Sequence, residues 1–389
     1  MPLKEKILLN KNLHVIFSVT LIAVMGVTTI IPAFPSISKS LGLSREEVAQ
    51  LIIYFTLPGI FLSPLMGIMA DRLGRKHILV PSLFLFAFAG TACAFSENFQ
   101  FLLFFRFLQG TGAAALSSLN QTIIGDLFTG KDRMAAMGYN ATVLSFGTLV
   151  YPALGGAIAL LGWNYPFFLP LLAIPVGLMV LFVLDNPEPD AKEHISSYFR
   201  EALKHMKSLH ILGLFIVTAS SFILLYGTVL TFFPFFLESL FNSNPLNIGI
   251  IISSAAIGTA LGSSNLRRIN TYLPKKYMIL GAFFLYALVL LLSVWIRSYA
   301  LMFLPAILYG FANGINIPVV QTMISEYAPT EYRGIFMAFN STVLRFGQTT
   351  GPFILGLCYT FWNLQGVFFG SIILIALTAL LLTLLIKKD

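Results

Sequence analysis

Two arginines stand where apolar surroundings make a charge expensive. Arg106 and Arg345 both lie in long runs dominated by Phe, Leu, Val and Gly. An arginine inside a membrane helix costs roughly 2.5–3.5 kcal/mol on insertion scales, so each must face protein or water. At helical spacing Arg106, Gln109, Ala113, Ser117 and Asn120 fall within roughly 80° of one another, which makes one polar stripe. A second stripe holds Tyr309, Asn313 and Asn316. Two readings stay open for Arg106, a bond to backbone carbonyls of the first helix or chemistry linked to a substrate or a proton. Arg345 is either an interhelical tether or a cavity group that attracts an anion or tunes an acid. Catalytic chemistry has no such support. The chain contains no nucleophile–base set, no His-Glu-x-x-His pattern, no phosphate loop and no Cys/His cluster. Cys93 and Cys358 sit in apolar runs and read as inert fillers. The expectation is therefore no enzyme, no cofactor and no metal.

The elements that carry these residues follow from composition. The chain has 389 residues, 57% of them apolar and 10% charged. Soluble domains carry about 25% charged residues. A mean hydropathy of +0.85 adds to this. A soluble enzyme, a disordered chain and a secreted disulfide scaffold are excluded, because too little interior exists to hide so much apolar surface. A helix needs about 20 apolar residues to cross the hydrocarbon layer. The charge-free runs 134–184 and 346–386 are each long enough for two crossings, with turns at Trp163–Pro166 and Trp362–Gly366. Reading the whole chain gives twelve spans, at 13–35, 46–70, 77–96, 98–126, 134–160, 165–184, 210–238, 245–266, 277–296, 299–326, 334–360 and 363–386. Lipid-exposed backbone must satisfy its own hydrogen bonds, so these are helices; strict alternation expected of barrel strands is missing.

Charge orients the chain. With both termini cytoplasmic, 19 of the 24 basic residues fall in internal segments and three, Lys39, Arg45 and Arg297, in external turns. The net charge of +8 is thereby a matter of topology, and no nucleic-acid partner is implied. The first span lacks a small-residue cleavage site and reads as a retained helix of a plasma-membrane protein. Asn186–Pro189 stops the sixth span, and His194–Lys207 has the pattern of a short amphipathic helix on the membrane surface. This divides the chain into 1–184, a six-helix bundle; 185–209, a cytoplasmic linker; and 210–389, a second six-helix bundle.

An internal repeat relates the bundles. Asp126 and Arg133 recur as Glu326 and Arg333, displaced by 200 positions. The same displacement pairs Gln121-Thr122 with Gln321-Thr322, Asn140 with Asn340, Thr142–Leu144 with Thr342–Leu344, Gly147 with Gly347, Pro152 with Pro352 and Gly156 with Gly356. Polar, glycine and proline positions agree along with apolar ones. Repeats of this kind are typical of secondary transporters, whose substrate sits near the midplane between two rocking halves.

Three motifs carry a resemblance. The run Gly67–Lys76, with Asp71, Arg72, Gly74 and Arg75, resembles the loop between spans two and three of the major facilitator superfamily. The run Leu102–Ala114, with Arg106, Gln109, Gly110 and Gly112, resembles the span-four motif of its drug:proton antiporter branch, and Gly147–Gly156 the span-five antiporter motif. Tyr151 stands where that branch usually has glycine before the proline; Gly351-Pro352 keeps the pair. The resemblance implies an all-α integral membrane protein with twelve transmembrane helices in two pseudo-symmetric bundles, working as a monomer by alternating access. It also implies proton-coupled export of hydrophobic or amphiphilic compounds, as in multidrug efflux. An alternative is transport of an organic anion or anionic lipid held by Arg106 and Arg345.

Roles follow from the same resemblance. Asp71 would dock on the start of span eleven, and Arg75 would pair with Asp126. Asp126–Arg133 and Glu326–Arg333 would form matching bridges at the inner ends, as gates that break when that side opens. Gly147, Gly155, Gly156, Gly347, Gly351 and Gly356 would let helices approach closely, with Pro152 and Pro352 permitting bends. Arg106, Gln109, Asn120, Tyr309, Asn313, Asn316 and Arg345 are the candidates for substrate or coupling. One absence stands out. None of the 16 acidic residues lies in mid-span, so protons, if coupled, fall to Asp71, Asp126, the Arg106 region or the substrate itself.

Overall fold

The computed structural model describes residues 10–185 and 208–386, and every regular element among them is helical. The expected surface helix at 194–207 lies outside the described residues. Ten helices cross once: Lys11–Leu41, Arg45–Leu73, Arg75–Phe95, Phe99–Leu127, Gly130–Ala159, Tyr165–Phe182, Leu209–Phe241, Pro245–Ser264, Lys275–Trp295 and Tyr299–Tyr327. We number them spans one to ten. The eleventh helix, Arg333–Leu385, runs 53 residues and breaks at Trp362 and Asn363, where Asn363 takes φ 54°. It is two crossings, spans eleven and twelve, joined at the expected tryptophan turn.

Local chemistry sets the boundaries. Ser44 and Glu47 close a capping box at the start of span two, the Glu47 amide donating to Ser44 Oγ at 3.2 Å and the Ser44 amide to Glu47 Oε2 at 2.7 Å. Asn98 and Asn244 cap spans four and eight more simply, their side chains accepting from the Gln100 and Asn247 amides. Gly74, at φ 93°, turns the chain directly from span two into span three. Two spans depart from plain α geometry. Span six opens as a 3₁₀ helix over Tyr165–Leu172, where Pro166 and Pro170 remove amide donors. Span seven widens into a π-helix over Leu224–Phe232.

The helix ends define two faces. Lys11 meets Asp185, Arg75 meets Asp126 and His210 stacks on Tyr327 at one of them, which we call the basic face. Each half, spans one to six and seven to twelve, is clasped there by a lysine. Lys76 Nζ donates to the Leu181 carbonyl at 3.1 Å, and Lys276 Nζ donates to the carbonyls of Thr383, at 3.2 Å, and Ile386. The packed interior is divided unevenly. A small apolar cluster joins Ala49 of span two to Phe232, Leu355 and Val367, and of the two large cores one lies within spans seven to twelve. The other fills spans one to six and continues into Leu230, Phe235, Leu237, Ile248, Ile251, Met302 and Ala306, the parts of spans seven, eight and ten far from the basic face. The halves are thus fused at the opposite face.

Candidate functional site: the seam between the halves

The polar stripe of span four ties helices together. Arg106 is fully buried: Nε donates to the Leu51 carbonyl at 3.1 Å, and Nη1 to the Gly26 carbonyl at 2.9 Å and to Gln109 Oε1 at 2.7 Å. Its guanidinium also lies 4.3 Å from the Phe55 ring centroid. Carbonyls of spans one and two therefore take up this cation. Gly110 and Gly112 explain how they come so close, since a Cβ at either would collide with backbone of span two or span three. Asn120 donates to Thr20 Oγ1, and Thr20 donates to Asn140 Oδ1 at 2.5 Å, linking spans one, four and five.

Span ten does the equivalent with neutral groups. The Tyr286 hydroxyl donates to Asn313 Oδ1 at 2.8 Å, Asn316 Nδ2 donates to Ser221 Oγ at 2.6 Å, and Tyr309 packs its ring on Tyr286 at 4.9 Å. Thr218 donates to Asn340 Oδ1 at 2.8 Å, joining spans seven and eleven. Asn316 Oδ1 and the Tyr309 hydroxyl are buried with no hydrogen-bond partner, as are Arg106 Nη2 and Asn120 Oδ1 in the other stripe. The two expected stripes accordingly face the interiors of their own halves.

Two seams bring the halves together. In the first, span five packs on span eight. A Cβ at Gly156 would strike the Pro245 carbonyl, one at Gly249 would strike the Pro152 carbonyl, and the Ala153 amide donates to Ser253 Oγ at 3.1 Å. Gly155 abuts the Thr29 carbonyl of span one, and Gly147 faces Leu21 at 3.3 Å. In the second seam, span eleven packs on span two. Thr349 donates to Thr56 Oγ1 at 2.9 Å. The guanidinium of Arg345 lies over Gly59, where a Cβ would stand 2.7 Å from Nη1. Gly347 and Gly351 admit span seven, each 2.7 Å from its backbone by the same measure, and Gly356 looks toward Phe232 at 4.0 Å. Pro152 and Pro352 are buried inside their helices.

The charged ends treat the two faces differently. On the face opposite the basic one, Lys39 binds Glu238 at 2.5 Å, Thr360 donates to Glu46 at 3.2 Å, and Arg45 lies over Phe235 and Tyr359 at 5.3 and 5.7 Å. All of these cross between halves. At the basic face the ion pairs Lys11–Asp185, Arg75–Asp71, Arg75–Asp126 (2.9 Å) and Lys275–Glu326 each stay within one half. The Arg75–Asp126 pair is as expected, but the matching bridges are not. Arg75 rather than Arg133 holds Asp126, and Lys275 rather than Arg333 holds Glu326. The reason is geometric: Arg133 settles over Gly125, whose missing side chain gives its guanidinium a seat one residue short of the acid. Lys275 was legible in the sequence, because it stands 200 positions after Arg75. Arg72 ends span two, exposed, and Gly67 on span two and Gly334 on span eleven have nothing within 4 Å of where a Cβ would be.

Comparison with known proteins agrees with this arrangement. The sequence profile of the Major Facilitator Superfamily matches residues 16–263 and 236–389. The chain is 25% identical over 353 residues to Multidrug resistance protein 1 of Bacillus subtilis, covering 90% of each. It is 26% identical over 361 residues to the Bacillibactin exporter of the same organism, covering 88% of each. Among solved structures, a bacterial homologue of the human lysosomal transporter Spinster, in an inward-facing and unoccupied conformation, superposes with a TM-score of 0.80 at 17% identity, over 99% of this chain and 97% of that one.

Proposed function

The chain belongs to the Major Facilitator Superfamily, and from that membership we propose that it is a secondary active transporter that exports hydrophobic or amphiphilic compounds across the plasma membrane by alternating access. Proton coupling, cytoplasmic termini and a monomeric working unit belong to the same proposal. The observation that carries it is the asymmetry of the seams. The halves meet through Lys39–Glu238, Glu46–Thr360 and the Arg45 contacts at one face, while Gly67 and Gly334 stand in open space near the other. With the basic face cytoplasmic, this is a state closed outward and open inward, ready to load a substrate from within.

Arg106 gives Nε and Nη1 to carbonyls of spans one and two and to Gln109, which holds spans one, two and four as a unit, and its Nη2 is buried without a hydrogen-bond partner. Coupling then falls to the Asp71–Arg75–Asp126 cluster at the inner mouth. Arg75 of span three holds Asp71 of span two and Asp126 of span four together, so that any change in this cluster alters how firmly the three spans are joined. The Bacillibactin exporter among the relatives supports an outward direction. Purified protein in liposomes tests the whole reading. Uptake of an amphiphile into inverted vesicles should follow an imposed pH gradient and stop when it is collapsed. Flux indifferent to the gradient would remove proton coupling. Cysteines at positions 67 and 334 should react from the inner side and be protected when a substrate drives the outward state; constant reactivity would remove alternating access.

A further inference from the structure

The repeat leaves a gap in the second half. In the first half the Arg106 guanidinium lies on the Phe55 ring, beside the buried Gln109. The displacement of 200 positions holds for these helices in space as well as in sequence: a Cβ at Gly110 would strike the Phe55 carbonyl, and one at Gly310 would strike the Ala255 carbonyl. The mates of Arg106, Phe55 and Gln109 are therefore Ala306, Ala255 and Tyr309. Both members of the cation–ring pair have become alanine. A cavity of about 30 Å³ lies there, among spans seven, eight, nine and ten, with Ala255, Ala306 and Tyr309 all in its wall. Thr228 and Val229, also in the wall, belong to the π-helical stretch of span seven, a geometry found frequently at functional sites.

The wall is apolar apart from three hydroxyls, and none of the described residues that line it is charged. Two hydroxyls are committed. Thr228 shares a hydrogen bond with Ser371 at 2.6 Å, and Ser293 donates to the Val289 carbonyl at 2.8 Å. The Tyr309 hydroxyl is buried without a partner, its ring held against Tyr286 at 4.9 Å. Nor does the backbone call for a cation as it does in the first half. The Leu51 carbonyl takes Arg106 Nε, whereas its mate, the Ile251 carbonyl, accepts from Ser254 Oγ at 2.6 Å. Size narrows the occupant further. About 10–15 Å³ admits one water, and about 150 Å³ admits benzene, so this space takes a few heavy atoms and no ring. Water suits it poorly, because water needs about two to four polar partners and one hydroxyl is free.

We propose that this cavity is a binding site for a small neutral end group with one acceptor oxygen, such as an acetyl group, on the apolar compounds that the protein moves. This deepens the transporter reading and rests on it. The carbonyl oxygen accepts from the Tyr309 hydroxyl, and the methyl lies against Ala306 and Leu290 in the place that the guanidinium takes in the other half. Such a group satisfies the buried donor and sets nothing polar against hydrocarbon. The apolar body extends past Val229, Phe233 and Ala255, the half-buried members of the wall. A charged end group is refused, since the wall offers it neither a counter-charge nor a second free hydrogen-bonding group.

Two probes of one shape test this, acetylnaphthalene and isopropenylnaphthalene, in which a methylene replaces the carbonyl oxygen. Binding of each tritiated probe to detergent-purified protein, and its uptake into inverted vesicles under a pH gradient, are measured for wild type, Tyr309→Phe and Ala306→Leu, each first checked for monodisperse elution. Wild type should bind the ketone about fivefold or more tightly than the alkene, because the ketone pairs a buried hydroxyl that the alkene leaves unpaired. Tyr309→Phe should erase that preference, and Ala306→Leu should weaken the ketone at least as far by filling the space. A wild type without the preference would overturn the inference, as would a preference that survives Tyr309→Phe or ketone binding undiminished in Ala306→Leu. In each of those cases, uptake of both probes that follows the gradient would leave the transporter reading standing. Failure to bind or move either probe would remove both.

Discussion

The seam between spans five and eight and the seam between spans eleven and two occupy equivalent places in the repeat, and they are built differently. The first is mostly backbone against backbone, with Gly156 on Pro245 and Gly249 on Pro152, and one hydroxyl, Ser253 Oγ, accepting from the Ala153 amide. The second puts a cation and two hydroxyls between its helices. A glycine contact is short, dry and indifferent to what passes beside it. A guanidinium and a pair of hydroxyls exchange partners readily, since each hydrogen bond contributes only about 1 kcal/mol net. The repeat is kept in which helices pair and broken in what they put between them.

The largest expected effect tests the dry seam. Gly156→Leu or Gly249→Leu forces a side chain into a carbonyl and should cost about 1–3 kcal/mol or more, seen as a lower melting temperature in detergent and loss of flux. If both variants transport normally, the first seam is not the sliding surface. The double variant Thr56→Val/Thr349→Val should have a smaller effect, about 1 kcal/mol of stability with a changed maximal rate, because both partners become apolar together. An effect as large as that of the glycine variants would erase the distinction between the seams.

Smaller still is Glu238→Gln. An exposed ion pair is worth about 0.2–1 kcal/mol, and here that sum favours the state closed at the Lys39 face. A cysteine at position 67 should therefore become less reactive; greater reactivity would contradict the placement of the latch. The least effect belongs to Asp185. Hydrogen bonds from Asn12 and Lys11 hold its carboxyl below its usual value of 3.8. A lowered value stabilises the fold above the usual pKa and is lost as pH falls through the lowered one. Wild type should melt slightly above Asp185→Asn at neutral pH and level with it in strong acid; a gap that persists in acid would remove the carboxylate from the tie between spans one and six.

Much of this was legible in the chain. Charge-free length gave the spans, and Trp362-Asn363 marked the one turn hidden inside a continuous helix. The displacement of 200 positions pointed to paired glycines; it also relates Arg75 to Lys275, but the matching bridges were read on Arg133 and Arg333 instead. What escaped was lateral. Helical spacing says which residues share a face, and it does not say which neighbour that face meets. Arg106 and Arg345 look alike in sequence, yet one is enclosed by carbonyls of its own half and the other reaches across to Gly59. The π-helical turn of span seven carried no signal either, because Leu224–Phe232 suits an α-helix as well.

Lys76 and Lys276 have one more consequence. By fastening the third helix of each half to the end of its sixth, they act like the hoop on a cask, so that the staves cannot splay independently. The third and sixth helices of each cask are thereby bound to move together at that rim.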